Sequence, residues 1–238
     1  MKIVPAILVN SFAEFARQAQ RLIGVTDLAQ IDVMDGEFVA SKSFAEIEKI
    51  NELNLPLEWE LHLMVAHPLA ELDRWAEVKN IQRVIFHIES SDDPTTVIAK
   101  IRGACKQVGI AIKPETPLSA LTPYLDQIDL VLFMTVHPGQ QGAPFLPEMG
   151  DKIKEFIRLI DFSTPLRSAC LPPACPVGRV GKAQNDKSYP LIAVDGGVSK
   201  KNIALVQSWG VDIAGAGSAL SRATDIRVAW KKLQSALK

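Results

Sequence analysis

The chain has 238 residues, 47% of them hydrophobic and 22% charged, and a formal net charge of −1, the balance of an ordinary soluble globular protein. Without a long basic or acidic run it has no electrostatic footprint for nucleic acid or an anionic membrane. No apolar stretch approaches the roughly 18 to 20 residues that span a bilayer. The opening MKIVPAILV lacks the longer apolar core and cleavage site of a secretory signal. Three cysteines are too few and too unevenly spaced for a disulfide framework. These features point to a cytoplasmic protein.

In chain order, apolar β-type runs alternate with amphipathic helical patterns. Strands are predicted at 2–8, 28–34, 57–64, 83–89, 109–113, 129–136, 191–195 and 212–216. Helices are predicted near 11–23, 43–53, 68–78, 93–107, 117–127, 145–161, 199–209 and 223–237. Ser11, Ser43 and Asp93-Pro94 supply cap chemistry at three helix starts. Eight strictly alternating β/α units imply a parallel sheet, and eight in this length imply closure into a (β/α)8 TIM barrel. An open doubly wound sheet is the competing fold. The expected organisation is one barrel domain over 1–238.

Residues 162–190 break the rhythm, being rich in Pro, Gly, Ser and charge. They are expected to form a loop inserted between the sixth helix and the seventh strand. Such αβ connections lie on the N-terminal face of a barrel, opposite the active-site mouth, so the insertion should be remote from chemistry. Cys170 and Cys175 lie within it, but no further Cys or His is there to complete a tetrahedral zinc site.

Function should therefore be read at the C-terminal ends of the strands. On the second, alternation puts Gln30, Asp32 and Met34 on one face. On the third, Glu60, His62 and Met64 share a face, and the seventh ends in Asp195-Gly196-Gly197. A buried carboxylate needs a partner or a metal. Two aspartates and a histidine at three strand ends make a hard N/O set for a divalent cation. Taken singly, each could instead cap a loop or be a satisfied core residue. Glycines cluster after the sixth strand (Gly139, Gly142), the seventh (Gly196, Gly197) and the eighth (Gly215, Gly217, beside Ser218). Late βα loops of this composition bring backbone N–H groups close to a phosphate.

The stretches PAIL, DVMDG-x-F, HLMV, FHIE, KPETPL, MTVHPG, VDGGV and AGSA follow one another over nearly the whole chain. In this order they resemble the ribulose-phosphate 3-epimerase family, and only 162–190 has no counterpart. The resemblance implies an isomerase of carbohydrate metabolism, in the pentose phosphate pathway, converting D-ribulose 5-phosphate to D-xylulose 5-phosphate. It implies one divalent metal (zinc, iron, manganese or cobalt) held by Asp32, His62 and Asp195, with Asp32 and Asp195 doubling as the acid/base pair. Substrate and phosphate contacts carry over to His62, Gly139, Gly142, Gly196, Gly197, Gly217 and Ser218. A methionine lining carries over to Met34, Met64 and Met134.

Three departures fall at the same site. Gln30 stands where the family has a metal-binding histidine, and an amide oxygen is a weaker, neutral donor. Ala6 replaces a serine near the substrate. The loop after the sixth strand reads Pro138-Gly139-Gln140-Gln141-Gly142-Ala143, with one glycine fewer than usual, and His137 before it is a further candidate for phosphate or metal. The expected partner is a small-molecule sugar phosphate, with no nucleic acid or membrane, in a homo-oligomer. The competing readings are an epimerase of a hexulose phosphate such as allulose 6-phosphate, a phosphosugar-binding barrel with weak or no catalysis, and a barrel decarboxylase or synthase. The last would place a lysine among the strand-end groups, where only Lys113, ending the fifth strand, is on offer.

Overall fold

The structure, a computed structural model, describes residues 1–138, 143–162 and 189–237. Eight parallel strands close into a barrel in sequence order, β1 through β8. They are β1 (Lys2–Ile7), β2 (Leu28–Met34), β3 (Glu58–Met64), β4 (Ile81–His87), β5 (Gln107–Ile112), β6 (Leu130–Met134), β7 (Leu191–Asp195) and β8 (Ile213–Ala216). The helices are α1 (Phe12–Arg21), α2 (Pro68–Arg74), α3 (Pro94–Gly103), α4 (Met149–Phe162), α5 (Ile203–Ser208), α6 (Ser218–Ser221) and α7 (Ile226–Gln234). The closed sheet removes the doubly wound alternative.

Local chemistry explains most of the boundaries. Ser11 Oγ accepts from the Glu14 N–H at the start of α1, and Asp93 Oδ2 accepts from the Thr96 N–H at the start of α3. Such caps satisfy donors that a helix leaves open. Ser43 is no helix cap: its Oγ accepts from the Met34 N–H, and the helix expected at 43–53 is a 3₁₀ segment, Ile47–Leu53. The helix expected at 117–127 is two short 3₁₀ turns, Leu118–Ala120 and Thr122–Tyr124. Pro123 has no N–H to give an α-helical ladder there. The β4 strand runs two residues earlier than the sequence pattern suggested, leaving Ile88 and Glu89 beyond its end. Cys105, with φ 57°, follows α3.

Two apolar shells hold the barrel. Val4, Ile85, Ala111, Leu130, Leu132, Ala193 and Ile213 pack together in one buried cluster. In the larger cluster, Phe15, Trp59, Phe86, Ile110, Phe133 and Phe156 pack the strands against their surrounding helices. Each such side chain contributes about 1.5–3 kcal/mol by leaving water. Against this background the buried polar residues stand out: Gln30, Asp32, Glu60, His62, Arg83 and His87 on three adjacent strands. Glu60 and Arg83 neutralise each other at 2.8 Å, and Arg83 also donates twice to Gln107 Oε1.

Residues 163–188 of the expected insertion lie outside the described residues. The segment connects the C-terminal end of α4 to the N-terminal end of β7, an αβ connection as the sequence suggested. Among the described residues no helix is long and apolar enough to cross a membrane.

Candidate active site

In the parallel register, Asp32 on β2 stands beside His62 on β3, and Met134 on β6 beside Asp195 on β7. Alternation turns Asp32 and His62 inward, and barrel closure brings β7 round to meet them. His62 Nδ1 lies 3.0 Å from Asp32 Oδ1 and 3.4 Å from Asp195 Oδ2. All three residues are buried, and their ligand atoms lie within 4.8 Å of one another. One imidazole nitrogen and two carboxylates at this spacing could hold a divalent metal of the hard or borderline kind. The donor set therefore fits the cation that the sequence suggested.

Gln30 joins this cluster from the same face of β2. Its Nε2 donates to Asp32 Oδ1 at 2.8 Å and to Asp195 Oδ2 at 2.9 Å, and lies 3.5 Å from His62 Nδ1. The geometry thus presents Gln30 as a hydrogen-bond donor to the carboxylates, where the sequence had it as a weak oxygen ligand to the metal.

Behind His62 a second layer fixes its ring. His62 Nε2 is 3.0 Å from His87 Nε2, and His87 Nδ1 is 3.1 Å from Glu89 Oε2. Glu89 also accepts from the Lys113 N–H and the Thr116 hydroxyl. Burial works against its charge, but these three donors hold its pKa at about 2. Glu89 is therefore an ionised acceptor, so His87 carries its proton on Nδ1. His87 is kept neutral, with a pKa lowered to about 4 chiefly by burial. Its Nε2 must then accept from the Nε2–H of His62. This leaves Nδ1 of His62 as the atom that faces the aspartates.

The two aspartates are pushed in opposite directions. Burial, reinforced by the charge of Asp195, raises the pKa of Asp32 above its ordinary value. Burial also opposes ionisation of Asp195, but hydrogen bonds from His62 and Gln30 and the His62 charge outweigh it and lower its pKa. Burial opposes the His62 charge as well, and its contacts to Asp195 and Asp32 overcome this, raising its pKa to about 9.

These histidines set a stability optimum. His87 titrates near 4 when folded and near 6.5 when unfolded. Its contribution is complete above pH 6.5 and is lost, by about 1.4 kcal/mol per unit, as pH falls toward 4. His62 has the opposite sign: its contribution is complete below about pH 6.5 and is lost as pH rises toward 9. Urea unfolding of chelator-treated protein should thus show a maximum near pH 6.5, with losses on both sides. A flat profile from 6.5 to 9 would show that His62 is not charged by the aspartates.

A cleft opens onto Asp32 and Asp195 and is further lined by Ala6, Leu8, Met64, Met134, Val136, Pro138, Gly196, Gly197, Gly217 and Ser218. Its rim at β7 needs glycine. Gly196 has φ +112°, and a Cβ there would sit 2.4 Å from Val136 Cγ2. A Cβ on Gly215 would meet Asp195 Oδ1 at 2.7 Å, so the absent side chain makes room for the carboxylate. Thr135 donates to the carbonyl of Asp195 and to that of Gly196, pinning the end of β7.

Comparison with known proteins places this arrangement. The profile of the ribulose-phosphate 3 epimerase family matches residues 2–168. The ribulose-phosphate 3-epimerase of Mycobacterium bovis is 31% identical, over 94% of this chain and 87% of that protein. This chain belongs to the ribulose-phosphate 3-epimerase family. The enzyme of the same name from Helicobacter pylori is 29% identical, over 99% of this chain and 97% of that protein. Among solved structures, 3-hexulose-6-phosphate synthase from Salmonella typhimurium superposes with a TM-score of 0.64. It covers 100% of this chain and 98% of that one at 16% identity, which bears on the fold alone.

For an epimerase-family barrel, most of the residues suggested by the sequence reach the mouth. Asp32 and Asp195 face the cleft, with Met64 and Met134 as its apolar walls and Gly196, Gly197, Gly217 and Ser218 along one side. Met34 instead packs with Val39, Met64, Leu8 and Phe38. His137 is exposed and pairs with Glu115 at 2.8 Å. Lys113 lies over the Phe38 ring, 3.9 Å from its centroid, rather than beside the aspartates. Gly139 and Gly142 lie outside the described residues. Sequence reasoning missed His87 and Glu89 as a functional pair. The usable signal was parity: His87 is two residues beyond Ile85 and four beyond Arg83, both turned toward the barrel interior.

Proposed function

We propose that this chain is a ketose-phosphate 3-epimerase interconverting D-ribulose 5-phosphate and D-xylulose 5-phosphate. The observation that carries the reading is the pair Asp32 and Asp195, both buried and both lining one cleft beside His62. Inversion at C3 of a 2-ketose needs a base to remove the proton on one face and an acid to supply one on the other. One aspartate takes the C3 proton, the C–H electron pair moves into a C2–C3 double bond, and the charge collects on the C2 oxygen. The second aspartate then protonates C3 from the opposite side. A divalent cation held by Asp32, His62 and Asp195 would supply Lewis-acid stabilisation of that oxygen. Opposite pKa shifts in the two carboxylates suit such a division of labour.

The remaining lining fits the substrate. Gly196, Gly197, Gly217 and Ser218 offer close backbone approach for the phosphate, as late βα loops do in phosphate-binding barrels. Met64 and Met134 present polarizable apolar surface to the reacting carbons. All of this belongs to one barrel domain, with the cleft at its C-terminal face.

One observation favours a second reading. Gln30 donates into the carboxylate pair where an additional metal donor would help, which suits a phosphosugar-binding barrel of weak turnover. An enzyme-coupled assay separates the readings. With manganese or zinc added, conversion of ribulose 5-phosphate is expected to exceed that of allulose 6-phosphate. Binding of both sugars without conversion of either would favour the second reading.

A further inference from the structure

Gln30 occupies an unusual place. Its side chain is buried, and its Nε2 touches the same atoms that make up the candidate metal site: Asp32 Oδ1 at 2.8 Å, Asp195 Oδ2 at 2.9 Å and His62 Nδ1 at 3.5 Å. An amide nitrogen thus stands at the focus of the three ligands. Its orientation follows from chemistry: the ionised carboxylate of Asp195 can only accept a hydrogen bond, so at 2.9 Å the NH2 rather than the carbonyl oxygen faces it.

We propose that Gln30 is a built-in stand-in for the cation. Its NH2 bridges Asp32 and Asp195, keeping the pair assembled when no metal is bound, and a metal enters only as that amide turns away. The inference rests on reading Asp32, His62 and Asp195 as the metal site of the proposed reaction. A cation bonded to the same three atoms at about 2.0–2.2 Å would lie against the NH2, whose hydrogens point at those atoms. Both cannot be there together, since the amide hydrogens and the cation are alike in sign. The amide does for the two carboxylates what a cation would do, with two charge-assisted hydrogen bonds in place of coordination. Binding a metal therefore costs those bonds, and the apparent affinity is lowered by that cost.

The test uses chelator-treated full-length protein and zinc or manganese alone as the probe, with no turnover assay. With glutamine side chains labelled with ¹⁵N, the Gln30 amide, identified by its loss in Gln30→His, should give NH2 protons protected from solvent exchange. Saturating zinc should shift that pair and remove its protection. Gln30→Leu, which lacks the bridge, is expected to melt about 5–10 °C below wild type in chelator and to recover with metal. Calorimetric titration should show Gln30→His binding zinc at least about 10-fold more tightly than wild type, 1.4 kcal/mol. If Gln30→Leu does not fold, the amide spectrum and Gln30→His still decide. A Gln30 amide signal unchanged by saturating zinc, or equal zinc affinity in wild type and Gln30→His, would overturn the proposal. Because no readout is turnover, failure to epimerise ribulose 5-phosphate would leave these results standing.

Discussion

Asp32→Asn and Asp195→Asn are each expected to slow exchange of the C3 proton of ribulose 5-phosphate by about 10²-fold or more, the usual scale for loss of an acid/base group. Each removes one of two carboxylates that reach the same cleft from β2 and β7. An asparagine fills nearly the same volume, so the barrel should survive either change. The amide cannot take up a proton at neutral pH, and each change also removes an anionic ligand from the triad with His62. The two losses should not add, because the two carboxylates act as one unit on the same cleft and in the same ligand set with His62. The double variant should therefore be hardly slower than the weaker single one. Exchange that is unchanged in both single variants would remove the aspartates from the mechanism.

Arg83→Ala is expected to destabilise the protein by roughly 3–5 kcal/mol, the cost of breaking a buried ion pair. That corresponds to a fall in Tm of about 10 °C for a chain of this size. The guanidinium pairs with Glu60, which is 2% exposed, and donates twice to Gln107. Removing it leaves a carboxylate inside the barrel with no counter-charge. Replacing both partners, with Glu60→Leu and Arg83→Met, should recover much of the loss, since apolar residues of like volume need no partner. Thermal unfolding of the single and the double variant beside wild type checks this. A single variant as stable as wild type would mean that water or another group takes the place of the guanidinium beside Glu60.

The barrel was legible because its signal is redundant: eight apolar runs alternate with helical patterns, and closure follows from their number. Asp32, His62 and Asp195 were legible because each lies at, or two residues before, the C-terminal end of a strand, and those ends define one mouth. Detail failed where tertiary contacts decide it. Ser43 carries the residue type of a helix cap but bonds back to Met34 across a loop. Pro123 breaks a pattern whose apolar period is otherwise helical. Gln30 could be assigned to the inward face from alternation alone. Whether it ligates or donates depends on Asp195, which only barrel closure brings within 2.9 Å. His87 escaped because its partners, His62 and Glu89, lie on another strand and past a strand end that the pattern placed two residues late.

The most direct test is to follow ribulose 5-phosphate by proton NMR in deuterated water, with the wild-type protein supplied with manganese, then exchanged into zinc for recording. The C3 proton signal should disappear under catalytic amounts of protein while deuterated xylulose 5-phosphate accumulates. Both should fail with Asp32→Asn or Asp195→Asn. A C3 signal that persists at stoichiometric, metal-saturated protein, with the sugar phosphate demonstrably bound, would contradict epimerisation and leave a barrel that only binds its ligand.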